Sequence, residues 1–437
     1  MNTLRAAFIY LILSGSLFAQ TAQEAIELIE NENGFGVKAA AMGNAFTAMA
    51  DDYSAIYWNP AGLAQMETGQ ISGSLMHTNF SNDATYLNTL SSDTRNFTKF
   101  QSIGLAYPFP VIQGAFVIAF GYQKINNPDA FTEFNAVNFQ DSVIYPFRET
   151  YSIYHEGEIE NWSFAAAMDL SPNFSAGVTF NFIGGSKLST LDWMDDDFEN
   201  IFSYSYFERS LNTVFDYSGF NIQLGGLFHL TNDLKLGASM TFPHSITVDE
   251  EWSVDEYDAW DEVSDSIYDE SGTWDYLISM PFKFSVGLAY SHPVFTVGAS
   301  MDYRDWSQLK YEVPSNRSSS EYSDLLNENN VLRDEYRSVI SYSLGGEFNV
   351  LNSGLFIRGG YQYKPNPKNK LFDKKYYSVG LGYVLDKRTS LDFSYTQGQW
   401  SKETEYVPPD PNYEYISNIT TEEITTQTFM FGLKYNF

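Results

Sequence analysis

The last fourteen residues, ITTQTFMFGLKYNF from Ile424 to Phe437, set Phe429, Phe431, Leu433, Tyr435 and Phe437 on one face and Met430, Gly432, Lys434 and Asn436 on the other. That period of two is the signature of a half-buried strand, because successive side chains in an extended chain point to opposite sides. The same alternation runs through PFKFSVGLAY (Phe282, Phe284, Val286, Leu288, Tyr290), LKLGASMTF (Leu234, Leu236, Ala238, Met240, Phe242) and SLDFSYTQG (Leu391, Phe393, Tyr395). The second face is mostly Gly, Ala, Ser and Thr, with scattered charges such as Asp302, Arg304, Glu347, Arg358 and Asp392.

Fourteen such segments are legible, beginning near Thr68, Thr98, Gln113, Glu156, Phe174, Asn212, Leu234, Tyr276, Val294, Glu335, Gly354, Lys374, Thr389 and Ile424. Their connections alternate in length. PFPVIQG, SPN, TND, SHP, NSG and DKR are short and carry turn chemistry, whereas the stretches 126–155, 190–211, 253–275, 314–333 and 401–423 are long and polar. Short turns on one rim and long loops on the other predict an all-β fold, a 14-stranded antiparallel transmembrane β-barrel with both termini on the periplasmic side. A soluble β-sandwich or β-helix tolerates the alternation, but needs neither the segregated loops nor an outward apolar band.

Composition narrows the function. With 25 Lys+Arg against 55 Asp+Glu the chain is too acidic for nucleic acid, and its 35 Phe, 31 Tyr and 8 Trp separate it from acidic disordered chains. There is no Cys, which excludes disulfides and thiolate chemistry. The first nineteen residues, with Arg5, the apolar Ala6–Leu13 run and SGSLFA, read as a signal peptide. The five His are scattered, no G-x-S-x-G occurs, and GFGVKA at Gly34 follows polar ENEN rather than a strand; an enzyme, a metal site and a cofactor are therefore not expected. The run DEEWSVDEYDAWDEVSDSIYDES, Asp249 to Ser271, holds eleven carboxylates without calcium-loop spacing and is expected to be a solvated extracellular loop at a lipopolysaccharide surface, as is the triplet Asp195, Asp196, Asp197.

One segment does not alternate. In GVKAAAMGNAFTAMADDYSAIYWNPAGL, Gly36 to Leu63, eleven of 28 residues are Gly or Ala, and Pro60 bars it from a central ladder. It is too apolar for a loose tail, with Phe46, Met49, Ile56, Tyr57, Trp58 and Leu63, and is expected to thread the barrel as a lumenal hatch. The predicted organisation is thus signal peptide 1–19, hatch 20–67 and barrel 68–437.

AAAMGNAFTAMADDYSAIYWNPAGLA resembles the N-terminal hatch of the FadL/TodX family of outer-membrane transporters, notably in its Asn-Pro-Ala motif, here Asn59, Pro60 and Ala61. The resemblance implies a plugged, monomeric barrel in the outer membrane that captures a hydrophobic compound, a long-chain fatty acid or an aromatic hydrocarbon, and releases it sideways through a break in an early strand. Trp58, Asn59, Pro60, Ala61, Gly62 and Leu63 are the expected ligand-binding and hatch residues, and Gly121 in the third strand marks a candidate strand break. A competing expectation is the role of the similarly built PorV, an outer-membrane component of a protein secretion system. A plain diffusion porin would have a charged eyelet and no hatch.

Overall fold

The computed structural model describes residues 21–30, 32–138, 147–201, 203–351, 353–405 and 419–437; the expected signal peptide, residues 1–19, lies outside them. Among the described residues eighteen strands form one antiparallel sheet that closes where the first and last strands pair, Gln70 opposite Asn436. In chain order they are β1 (Gln70–Tyr86), β2 (Thr89–Phe109), β3 (Phe116–Asn126), β4 (Ala130–Asn138), β5 (Phe147–Ser171), β6 (Phe174–Asp196), β7 (Tyr204–His229), β8 (Leu234–Thr241) and β9 (His244–Trp260). They continue as β10 (Ser266–Met280), β11 (Lys283–Ser291), β12 (Phe295–Asp305), β13 (Lys310–Glu312), β14 (Ser338–Val350), β15 (Leu355–Lys364), β16 (Lys374–Val384), β17 (Thr389–Glu405) and β18 (Ile419–Asn436).

Four staves are each interrupted once, so the eighteen strands make a closed barrel of fourteen staves. Three of the interruptions contain a proline, which cannot donate to a ladder: Pro128 between β3 and β4, Pro243 between β8 and β9, and Pro281 between β10 and β11. The fourth is a short 3-10 turn, Trp306–Gln308, between β12 and β13.

Side chains on the outward face of the lower staves are apolar and roughly half exposed, among them Leu75, Ile103, Phe120, Phe182, Leu288, Leu344, Val379, Phe431 and Phe437. This is the band a bilayer requires, since a closed ladder satisfies every backbone group and leaves only side chains for lipid. The terminal alternation follows it, with Met430 buried inside and Gly432 facing the plug residue Val37.

Several strands begin earlier than the apolar alternation indicates: Thr89 rather than Thr98, Phe147 rather than Glu156, Tyr204 rather than Asn212. Above the apolar band the outer face turns polar, so the contrast between faces fades while the ladder continues. The acidic run is corrected for the same reason. Instead of a loop, most of Asp249–Ser271 lies in β9 and β10, paired from Met280 opposite His244 to Ser266 opposite Asp258. Val248, Trp252 and Val254 face inward and are buried, while Asp249, Glu251 and Asp255 face out. Asp195 and Asp196 likewise close β6. The expected loop 314–333 contains a helix, Ser323–Glu335.

The N-terminal segment occupies the lumen. Its first helix, Ala22–Glu30, buries Ala22, Ala25, Ile26 and Leu28 against Ile159, Ile183, Phe215, Tyr276, Leu325 and Leu332 high in the barrel. Glu328 accepts from the Ala22 amide at 2.9 Å, which satisfies a helix-end donor with a carboxylate, and the Tyr311 hydroxyl donates to the Thr21 carbonyl at 2.8 Å. The chain then descends through the short helices Val37–Ala41 and Ala55–Trp58 and the 3-10 turn Pro60–Gln65 to β1.

Candidate functional site

The lower plug is fixed to the wall. Asn59 is fully buried, with extended backbone; its side-chain oxygen accepts from the Ala61 amide at 3.2 Å, and its amide donates to the Thr47 carbonyl at 2.9 Å and, across to β7, the Gly226 carbonyl at 3.0 Å. Pro60 opens the 3-10 turn, where its missing amide costs nothing. Thr179, Gln223 and Ser239 on three staves donate to the carbonyls of Ile56, Tyr57 and Trp58. A Cβ on Gly225 would sit 2.2 Å from Asn59 Oδ1, so glycine is what allows this approach.

Ion pairs complete the attachment. Asp52 meets Lys434 of β18 at 2.6 Å, and Lys434 also meets Asp392 of β17 at 3.0 Å. Glu32 meets Lys283 and Arg304 at 2.9 Å each and accepts from the Tyr57 hydroxyl. Burial alone would raise the Glu32 carboxyl, but the two cations and the hydroxyl outweigh it and hold it well below the usual carboxylate range. Burial likewise opposes, and Lys434 with Lys38 overrides, so that Asp52 is also lowered.

Above the lower plug and beside its first helix lies a cavity of about 550 Å³. Its apolar surface includes Ile26, Leu28, Phe35, Phe80, Ile159, Ile424 and Met430. Six lysines also border it, Lys99, Lys124, Lys187, Lys368, Lys374 and Lys402, against four carboxylates, Glu24, Glu27, Asp129 and Glu403. In a chain with more than two acids per base overall, this space reverses the balance.

The cavity reaches the broken third stave. The β2–β3 ladder runs from Phe109 opposite Phe116 up to Ser102 opposite Gln123 and stops. A bulge at Gln101 shifts β2 against β1, and among the described residues Thr89–Gln101 have no ladder partner on the β3 side. Beyond Asn127–Asp129 the stave resumes as β4, whose ladder among the described residues is with β5 and which lies over inward side chains of β1. There Asn82 donates to the Phe131 carbonyl at 3.1 Å, and Phe134 packs 4.7 Å from Tyr86. The wall therefore has a gap between β2 and β5, across which Lys99 donates to Asp129 at 2.7 Å, to Asn127 at 2.9 Å and to the Gly157 carbonyl, while Arg95 of β2 lies over the Phe131 ring of β4 at 4.1 Å.

The family described as "Outer membrane protein transport protein (OMPP1/FadL/TodX)" matches residues 15–437. The chain belongs to this family. No curated protein matches it in sequence. In fold, the toluene transporter TodX of Pseudomonas putida is similar at 14% identity and TM-score 0.62, covering 93% of this chain and 99% of that one. A Pseudomonas aeruginosa FadL homologue is similar at 13% identity and TM-score 0.60, over 92% and 98% of the two chains. The Ralstonia pickettii toluene transporter TbuX aligns at 15% identity and TM-score 0.55, over 94% and 100%.

In this FadL/TodX-family protein the barrel resides in the outer membrane. The six residues predicted around the Asn-Pro-Ala motif are brought together, but beneath the large cavity. Asn59, Pro60, Ala61, Gly62 and Leu63 do not line it; Trp58 borders two smaller cavities of about 80 Å³ each and donates to the Phe35 carbonyl. Gly121 lies in an unbroken ladder between Gly104 and Ser163, and its missing Cβ makes room for the Tyr53 hydroxyl of the plug. The break falls instead at Asn127–Asp129. Pro128 was the available signal. Lys99 and Asp129 carry no such mark, because only the closed sheet brings them across the gap.

Proposed function

We propose that this protein is a passive outer-membrane transporter of hydrophobic compounds, long-chain fatty acids or aromatic hydrocarbons, which it captures in the lumen above the lower plug and releases sideways into the membrane. The observation that carries the reading is a single one: the large cavity adjoins the gap between β2 and β5 while the floor beneath it is fixed by Asn59, Asp52 and Glu32. A space of about 550 Å³ falls within the roughly 300–1,000 Å³ of ordinary ligand sites. Each methylene leaving water gains about 0.8 kcal/mol, so a lateral path into lipid avoids the cost of an aqueous exit.

Five of the six bordering lysines hold ion pairs, with Asp129, Glu158, Glu24, Glu335 and Glu422, so a ligand with a carboxylate head can bind by exchange for one of these acids, which an uncharged aromatic cannot do. Trp58, Asn59, Pro60, Ala61, Gly62 and Leu63 act as the floor. The barrel works as a monomer, with outer-membrane lipid around its apolar band and lipopolysaccharide beside its acidic upper strands. Extraction of the purified protein followed by mass spectrometry is expected to yield an apolar chain, and a deletion strain is expected to grow poorly on fatty acids or hydrocarbons. Unchanged growth, an empty protein and loss of protein secretion would replace this reading with the PorV-like one.

A further inference from the structure

Resting on the lateral-exit reading, we propose that Lys99 is a head-group latch: its ammonium closes the gap by holding Asp129, and a ligand carboxylate opens it by taking the place of Asp129. All three donors of the Lys99 ammonium are used across the break, on Asp129, Asn127 and the Gly157 carbonyl of β5. With the ladder absent on that side, this is the polar connection that bridges the two edges at this height. Both Lys99 and Asp129 border the large cavity, so a head group in the cavity reaches the latch without crossing the wall.

The pair is built to be exchanged. Asp129 has a fully buried side chain, and although its Oδ1 holds Lys99 and the Gly157 amide, its Oδ2 is buried with no hydrogen-bond partner. A buried carboxylate with an unsatisfied oxygen forfeits part of what a complete ion pair returns for desolvation. A second carboxylate therefore competes for Lys99 on favourable terms. An uncharged chain offers the ammonium no such acceptor and leaves the latch shut. Outside the gap, Phe100 stacks on Tyr122 at 6.2 Å and Trp162 packs edge-on to Tyr122 at 5.3 Å. Such rings mark the upper edge of a membrane band. The opened gap thus delivers the chain toward lipid while its head stays at the interface.

The test uses full-length protein in liposomes with two probes, a tail-labelled fluorescent long-chain carboxylate and the alcohol of the same chain. Lys99→Gln is expected to weaken carboxylate binding about tenfold, the equivalent of one charge-assisted hydrogen bond, and to leave the alcohol within about twofold. Asp129→Asn removes the competitor and is expected to tighten the carboxylate, and Lys99→Arg is expected to restore most of the wild-type preference. Equal shifts for both probes, or a carboxylate indifferent to Lys99→Gln, would overturn the latch and leave the transporter reading standing. Wild-type protein that binds neither probe would overturn both.

Discussion

Asn59 shows how much one side chain holds together in this fold. It joins its own turn, the Thr47 carbonyl on the other side of the plug and the Gly226 carbonyl in the wall. Replacement by Ala leaves those groups buried and unpaired, at about 1–3 kcal/mol for each. Asn59→Ala is therefore expected to lower the thermal midpoint in detergent clearly, and Asn59→Asp to lower it at least as far, because a carboxylate donates nothing and adds a buried charge. A midpoint unchanged in both variants would remove Asn59 from the attachment. The motif was legible in the sequence, since Asn-Pro-Ala stands out in a run where eleven of 28 residues are Gly or Ala. Its partners were not, being 12 and 167 residues away. Gly121 illustrates the opposite error: a glycine that serves close approach of Tyr53 looks, in sequence, the same as one that bends a strand.

At the scale of elements, apolar alternation located the lower halves of the staves and lost the upper ones, where β9 and β10 carry carboxylates on the outer face and remain strands through pairing alone. Breaks were partly legible, in Pro128, Pro243 and Pro281, whereas the inward turn of β4 depends on packing against Phe80, Asn82 and Tyr86 that no local pattern encodes. The plug as an element has its own pH dependence. Glu32 and Asp52 are both held below the ordinary carboxylate range, so their ion pairs support docking fully above about pH 4 to 5 and lose that support as pH falls further. Leak of a small polar solute from proteoliposomes is expected to stay low at neutral pH and to rise only as the pH falls well below the ordinary carboxylate range. Glu32→Gln is expected to leak already at neutral pH, and a Glu32→Gln variant as tight as the intact protein would detach this carboxylate from docking.

For the whole molecule, the fourteen staves and the plug divide the work between a wall and a stopper, and the stopper can be removed to see which of them holds back solutes. Deletion of residues 39–63 is expected to give a barrel that still assembles and conducts small polar solutes at a much higher rate than the intact protein. A folded deletion variant with no added leak would show that the lumen is sealed elsewhere. The plug begins beside the helix Ser323–Glu335, where Thr21 and Ala22 meet Tyr311 and Glu328, and runs down to Gln70 at the opposite rim. At that rim Gln70 hydrogen-bonds Asn436, a partner 366 residues later. Pairings this distant are slow to form, because the closure entropy precedes any return from contact. A stopper that runs the length of the cylinder beside the cavity cannot be drawn in through a finished wall with its charged and amide side chains already matched. Assembly is therefore expected to resemble a cooper's work more than a bottler's, with the staves raised around the contents and the seam between β1 and β18 the last to be drawn tight.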